Sequence, residues 1–222
     1  MNLDPRLSAC AELVDKNSVV CDIGTDHGYL PVFLVQQGKS KKAVAGDIGK
    51  APLESAKKHI KKYNLSDKIQ TVLSDGLKDI EKNDITHIVI AGMGGETIID
   101  ILSSCNWARD CILVLQPMTK PEMLRMWLYE NGYKINLEKA VSHEKFIYTV
   151  MKCSFSGNVK NINLFEAFTG GLDLKDENSK KYILKKAKSL KKSARGKLNS
   201  PLLVDKAKED LKLSEELLDA IK

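Results

Sequence analysis

VVCDIGTDHGYLP, residues 19–31, runs a short apolar segment into a glycine turn and then into a helical pattern, the way a nucleotide-binding fold begins. Asp26 stands where the G-x-G-x-x-G turn of a dinucleotide enzyme carries its second glycine. That glycine lets backbone N–H groups close on a pyrophosphate, and a carboxylate in its place repels two negative charges. The turn therefore asks for a ligand that has no phosphates and tolerates an acid.

Outward from this turn, strand-like apolar runs recur at residues 19–21, 43–45, 69–73, 87–91 and 111–115. Helical patterns lie between them at 30–37, 51–63, 97–102 and 122–129, the second with Leu53, Ala56 and Ile60 at helical spacing. Such alternation predicts a parallel sheet built from right-handed crossovers. After Gly132 two β-rich runs, 133–141 and 145–155, flank a short polar turn at 142–144 and read as an antiparallel hairpin. The expected fold is α/β: a Rossmann-like methyltransferase sheet over residues 1–157, with a small helical hairpin over residues 158–222.

In the tail, Ile183, Ala187, Leu190 and Ala194 form one apolar seam. After a break at 196–201, Val204, Ala207, Leu211, Leu218 and Ile221 form a second, with Ser214 filling a seam position. The net charge is +6 over 222 residues, and residues 160–222 hold 15 basic and 10 acidic side chains, so only +1 remains for the rest. Residues 180–197 contain no acid at all. Clustered lysine of this kind suits an anionic partner such as RNA, the alternative being a solvated helix face. Lys181, Lys185, Lys188 and Lys192 are the candidate phosphate contacts.

Composition narrows the field further. The apolar runs are too short to cross a bilayer, and MNLDPR lacks the charged and apolar regions of a secretory signal, so a cytoplasmic protein is expected. Five cysteines without a C-x-x-C pair imply neither a zinc framework nor a disulfide scaffold, and no metal is expected.

Ligands of open α/β sheets bind beyond the carboxyl ends of the strands, where this chain places acids repeatedly. Asp22 and Gly24 end the first strand, Asp47 the second, Asp75 and Gly76 follow the third, and AGMGGE (residues 91–96) follows the fourth. Asp47 lies 25 residues after Asp22, near the spacing at which an acid meets ribose hydroxyls. Charge then separates two adenosine cofactors. S-adenosylmethionine has a sulfonium and an α-ammonium and no phosphate, so Asp22, Asp26, Asp47 and Asp75 favour it and would repel a dinucleotide.

CDIGTDHGYLP (21–31), AGDI (45–48), SDGL (74–77), IAGMGGE (90–96) and LQP (115–117) together resemble the bacterial tRNA adenine-N1 methyltransferase family that modifies adenine 22. The resemblance runs over nearly the whole chain, including the two-helix tail. It implies S-adenosylmethionine as methyl donor, tRNA as substrate, and a cofactor site lined by Asp22, Gly24, Asp47, Ile48, Asp75, Gly76 and the loop Ala91, Gly92, Met93 and Gly94. Gly28 stands where small residues vary, and Met118 follows Gln-Pro where other members can have Asn.

Around this core stand further candidates. Asp26 is placed to orient the base and stabilise its developing charge, a helix cap being the alternative. Gly28 is a further cofactor-site candidate; His27 is a cofactor or substrate contact, with a helix cap as its alternative, and Tyr29 a platform for a flipped base, with core packing as its alternative. Arg125 and Lys120 are rim positions where phosphate contact is conceivable; His59 and His87 read as structural. A monomer is expected. Two other functions stay open on the residues alone: a methyltransferase with a small-molecule acceptor, and a non-catalytic RNA-binding module.

Overall fold

The computed structural model describes residues 2–222. Seven strands form one sheet: β1 (Ser18–Ile23), β2 (Ser40–Asp47), β3 (Ile69–Leu73), β4 (His87–Gly94), β5 (Ile112–Thr119), β6 (Tyr133–His143) and β7 (Phe146–Phe155). Their order is β3-β2-β1-β4-β5-β7-β6. β1 to β5 run parallel, and β7 joins β5 antiparallel before pairing with β6 from Tyr133↔Phe155 to His143↔Phe146. The hairpin turn sits at residues 144–145, slightly later than the polar triplet suggests, with Glu144 at φ +52°.

The apolar runs are continuous where the central strands β1, β4 and β5 are buried on both faces. Val20, Val89 and Val114 point to one layer, while Cys21, Ile88, Ile90, Leu113 and Leu115 point to the other. The first layer is closed by α1 (Pro5–Leu13), α2 (Tyr29–Gln36) and α3 (Lys50–Lys62). The second is closed by α4 (Gly95–Ser103) and α5 (Pro121–Glu130) through Ile98, Leu102, Leu124 and Leu128. The five cysteines are free and buried within these layers.

The tail comprises α6 (Leu164–Thr169), α7 (Glu177–Lys197) and α8 (Val204–Asp219). Lys197 bonds Asp210 at 2.5 Å and the Ser214 hydroxyl donates to the Ala187 carbonyl at 2.9 Å, so α7 and α8 lie antiparallel. The seam of α8 differs from the apolar pattern. Ala207, Asp210, Ser214 and Leu217 are buried with Leu213 beside them, whereas Leu211 and Leu218 are only partly covered. Two seam positions are polar and satisfied by α7, which disguises the true face in sequence. Tyr182, Ile183 and Leu217 share their cluster with Ala140 of β6 and with Ile147 of β7, so the tail packs directly on the hairpin.

A buried ion pair fixes that docking. Arg125 of α5 and Glu138 of β6 meet at 2.7 Å with both side chains fully buried. The remaining guanidinium donors reach the carbonyls of Ala167 and Phe168, at 2.6 and 3.3 Å, and the Gly171 N–H donates to Glu138 at 2.9 Å. Gly170, at φ +59°, has no room for a Cβ against the pair. Arg125 is thus a structural residue enclosed under α6, and the rim position considered for it is corrected by its burial. Breaking a buried pair strands the partner charge, at about 3–5 kcal/mol. Arg125→Ala is expected to lower the unfolding free energy by about that amount in urea melts; matching midpoints for variant and wild type would contradict it.

Candidate active site

β1 ends in an acid that is hidden from water. Asp22 is 5% exposed and accepts the Thr25 hydroxyl at 2.7 Å. Burial pushes its carboxyl up to about 7, opposed by the Thr25 hydrogen bond and helped by the charge of Asp47. Gly24 follows at φ +73°, its N–H donating to the Gly46 carbonyl at 2.9 Å, and any Cβ there would collide with the Met93 methyl group. A non-glycine residue would be strained by the backbone and blocked by the neighbour.

Asp47 ties the ends of β1 and β2 together. Its carboxylate accepts the Gly49 N–H at 2.8 Å through Oδ1 and the Asp26 N–H at 3.2 Å through Oδ2. A carboxylate has about four acceptor positions, so two remain for hydroxyls. Asp26 itself adopts φ +50°, a left-handed conformation that Asp tolerates better than most residues. Its exposed carboxylate lies 3.6 Å from His27 Nε2. The helix that follows is capped by Gly28 with no side-chain cap bond, so Asp26 does not serve α2 as a cap.

Two cavities open on these residues and share Gly24. The larger, about 450 Å³, is lined by Asp47, Ile48, Asp75, Gly76 and Met93 among others. Ile48 is 72% exposed beside it, a large apolar side chain left without cover. Asp75 is held by Lys78 through Oδ2 at 2.5 Å, which leaves Oδ1 to accept. Gly76, at φ +64°, packs against Ile101 too closely for a Cβ.

The smaller cavity, about 320 Å³, is lined by Asp22, Asp26, Tyr29, Ala91, Gly92 and Arg6 among others. Tyr29 is 44% exposed, with its ring 5.3 Å from His27 and 4.9 Å from His59, so it stands at the surface rather than in the core. Gly92, at φ +83°, donates its N–H to Gln116 Oε1 at 3.1 Å. The same oxygen accepts from Arg6 at 3.1 Å. Arg6 was missed because no helix was read before residue 19. The signal was present in LDPR: Asp4 caps α1 by accepting the Arg6 and Leu7 N–H groups, and Pro5 occupies the first turn.

Not every candidate lines a cavity. Gly28 is buried against Ala56, where a Cβ would stand 3.2 Å from the alanine methyl, and Gly94 caps α4. His27 contributes its carbonyl to His59 Nδ1 at 3.1 Å and exposes its ring beside Asp26. Lys120 pairs with Glu96 at 2.5 Å. Lys181, Lys185, Lys188 and Lys192 are exposed along one side of α7, away from both cavities, and hold no ion pair among the described residues. No group of three or more His, Cys, Asp or Glu there could hold a metal ion, and no helix is long and apolar enough to cross a membrane.

The buried acid has a stability signature. Asp22 binds its proton near pH 7 when folded and near the usual carboxylate value of 3.8 when unfolded, so the folded state holds the extra proton between them. Its contribution is present below the lower value and lost as pH rises through the upper one. Asp22→Asn keeps an acceptor for Thr25 and is expected to flatten the fall of unfolding free energy between about pH 4 and pH 7. Parallel pH profiles of variant and wild type would contradict the assignment.

Known proteins resemble this chain in sequence and fold. The family described as "Methyltransferase domain" matches residues 3–151. The Bacillus subtilis tRNA (adenine(22)-N(1))-methyltransferase is 35% identical over 156 residues, covering 68% of this chain and 64% of the enzyme, so the match spans under two thirds of that relative. Among solved structures, a Streptococcus agalactiae protein of the NADB-Rossmann superfamily superposes with a TM-score of 0.90 at 30% identity, covering 99% of this chain and 98% of that one. M. capricolum TrmK in complex with S-adenosyl-homocysteine superposes with a TM-score of 0.86 at 26% identity, covering 99% of each chain. The sheet order, the acids at three strand ends and the reach of these matches lead to one assignment: the chain belongs to the methyltransferase family, in the branch of the tRNA (adenine(22)-N(1))-methyltransferases.

Proposed function

We propose that the chain transfers a methyl group from S-adenosylmethionine to N1 of an adenine in tRNA, adenine 22 by kinship with its relatives. The observation that carries this reading is the pair of cavities joined at Gly24, one bordered by ribose-ready carboxylate and a bare isoleucine, the other by an acid, an arginine and an exposed tyrosine. The residues fit the donor. Asp47 has acceptor positions left for both ribose hydroxyls, Ile48 is free to cover an adenine face, and Asp75 Oδ1 is free to accept an exocyclic amine. Asp22 and Arg6 offer opposite charges to an amino acid's ammonium and carboxylate.

Bound S-adenosylmethionine supplies an electrophilic methyl carbon on a sulfonium. The adenine N1 lone pair forms the new bond as the carbon–sulfur bond breaks, its electrons staying on sulfur, so the positive charge moves to the purine. No general base is needed for the attack. Asp26 accepts a hydrogen bond from the N6 amine, turns N1 toward the methyl group and stabilises the charge that develops on the ring. Tyr29 supports the flipped base. Gly92 and Gly94, in the irregular last stretch of β4, leave room for the base to approach.

In this reading residues 1–157 hold donor and chemistry, while residues 158–222 grip the tRNA. A monomer in the cytoplasm, where tRNA is available, suffices. Lys181, Lys185, Lys188 and Lys192 fall within about 60° of helix circumference on α7, one stripe facing outward.

Transfer of tritiated methyl to bulk tRNA, with nucleoside analysis of the product, tests the reaction. Label in a metabolite extract instead would favour a small-molecule acceptor, and cofactor binding with label in neither pool would favour a binding module. Asp26→Ala is expected to lose at least about a hundredfold in single-turnover methylation while binding cofactor as wild type does, its melt lowered only by the roughly 1 kcal/mol that alanine loses in a left-handed conformation; near-normal turnover would remove Asp26 from the chemistry. Changing the four lysines to glutamine should weaken tRNA binding and flatten its salt dependence, because fewer counterions are released. An unaltered salt slope would return that stripe to a solvated face.

A further inference from the structure

A third cavity, about 540 Å³, lies between the end of β5, the start of β7 and α7, and it is assigned no part in the reaction above. Its size is that of a ligand pocket, about 300–1,000 Å³. It meets the smaller reaction cavity at Met118, which lines both. The two are therefore neighbouring stations on the ligand side of the sheet.

The walls are chemically uneven. Phe146 is largely uncovered, and the ammonium groups of Lys185 and Lys145 stand 5.1 and 5.4 Å from its ring centre. Neither lysine has a carboxylate partner among the described residues, whereas Lys186 and Lys120 nearby are occupied by Glu122 and Glu96. Tyr148 lies under the Arg6 guanidinium at 5.8 Å. Thr149, also lining the cleft, is 1% exposed, and its hydroxyl is the one buried side-chain polar atom without a hydrogen-bond partner among the described residues. An unpaired buried hydroxyl is costly, and a ligand group reaching the floor would relieve it.

A part-exposed aromatic ring covered only by the mobile ends of two lysines, unpaired cations at the mouth and an unmet hydroxyl at the base match one occupant. We propose that this cleft takes the base of a nucleotide next to the methylated adenine, stacked on Phe146, hydrogen-bonded by Thr149, with its phosphate at Lys185 and Lys145. Stacking on an aromatic ring accepts every base, so the cleft orders the strand without reading its sequence. Holding the neighbour also favours extrusion of the target adenine into the adjoining cavity. The inference rests on the tRNA reading above and names the subsite through which it would operate.

The test measures tRNA affinity at fixed salt, beside methylation by the wild type. Phe146→Ala and Thr149→Val are each expected to weaken tRNA binding at least about fivefold, with cofactor affinity unchanged. Phe146→Trp should bind as wild type or tighter, and Phe146→Leu should bind as weakly as the alanine variant. Thr149→Val should melt no lower than wild type, since it removes only an unpaired hydroxyl. If the wild type methylates tRNA and the alanine, leucine and valine variants bind it normally, the cleft is overturned and the reaction stands. If the wild type neither binds nor methylates tRNA, the reaction reading falls and the cleft falls with it.

Discussion

Crossovers leave β1 toward β2 on one side, while the next strand added on its other side is β4, so the loops after β1 and β4 diverge. That divergence opens a crevice at the carboxyl ends of the strands, which is where a doubly wound sheet binds ligands. The acids Asp22 and Asp47, the Gly24 turn and the loop after β4 all face it because of strand order rather than sequence proximity. Asp47 then narrows the geometry. By accepting the backbone N–H of Asp26 it couples the end of β2 to the turn after β1, so one side chain shapes both the rim of the larger cavity and the presentation of Asp26.

Electrostatically the molecule divides its labour. Carboxylates gather in the crevice, and unpaired lysines gather on α7 and at the hairpin tip. The two surfaces thus suit ligands of opposite charge. The buried Arg125–Glu138 pair sets the distance between them. It binds α5, β6 and the carbonyls of α6 into one unit, and so holds α7 beside the end of β5. Separating oppositely charged groups fully out of water strands both charges, so the pair resists displacement of α6 from α5 and β6.

The sheet was legible in sequence because its central strands are buried on both faces and its acids sit where strands stop. Those two signals are local. Arg6 was not legible by periodicity: α1 is a short helix whose only strong marks are a capping aspartate and a proline. The seam of α8 was misread at Leu211, because Asp210 occupies the buried position beside it through a contact with Lys197 of α7 that a hydrophobic pattern does not contain, whereas Leu218 and Ser214 do pack on the tail cluster and α7. Arg125 looked like a surface cation for the same reason: its partner, Glu138, is 13 residues away and on another element. The two joined cavities needed coordinates, since the contact between Met93 and Gly24 crosses strands.

The cysteines carry a different consequence. All five thiols are buried, and burial raises those of Cys10, Cys21 and Cys153 far above their ordinary value and that of Cys111 to about 11. A thiol so placed is neither ionised nor reachable at neutral pH, so a disulfide reagent meets it only when the surrounding layer opens. Cys10, on the inner face of α1, lies in the layer that α1 and α2 close, while Cys21, Cys105, Cys111 and Cys153 lie in the opposite one. Labelling rates at these positions therefore clock the opening of each face separately. The tail, which has no cysteine beyond residue 153, offers a silent background for a single introduced probe.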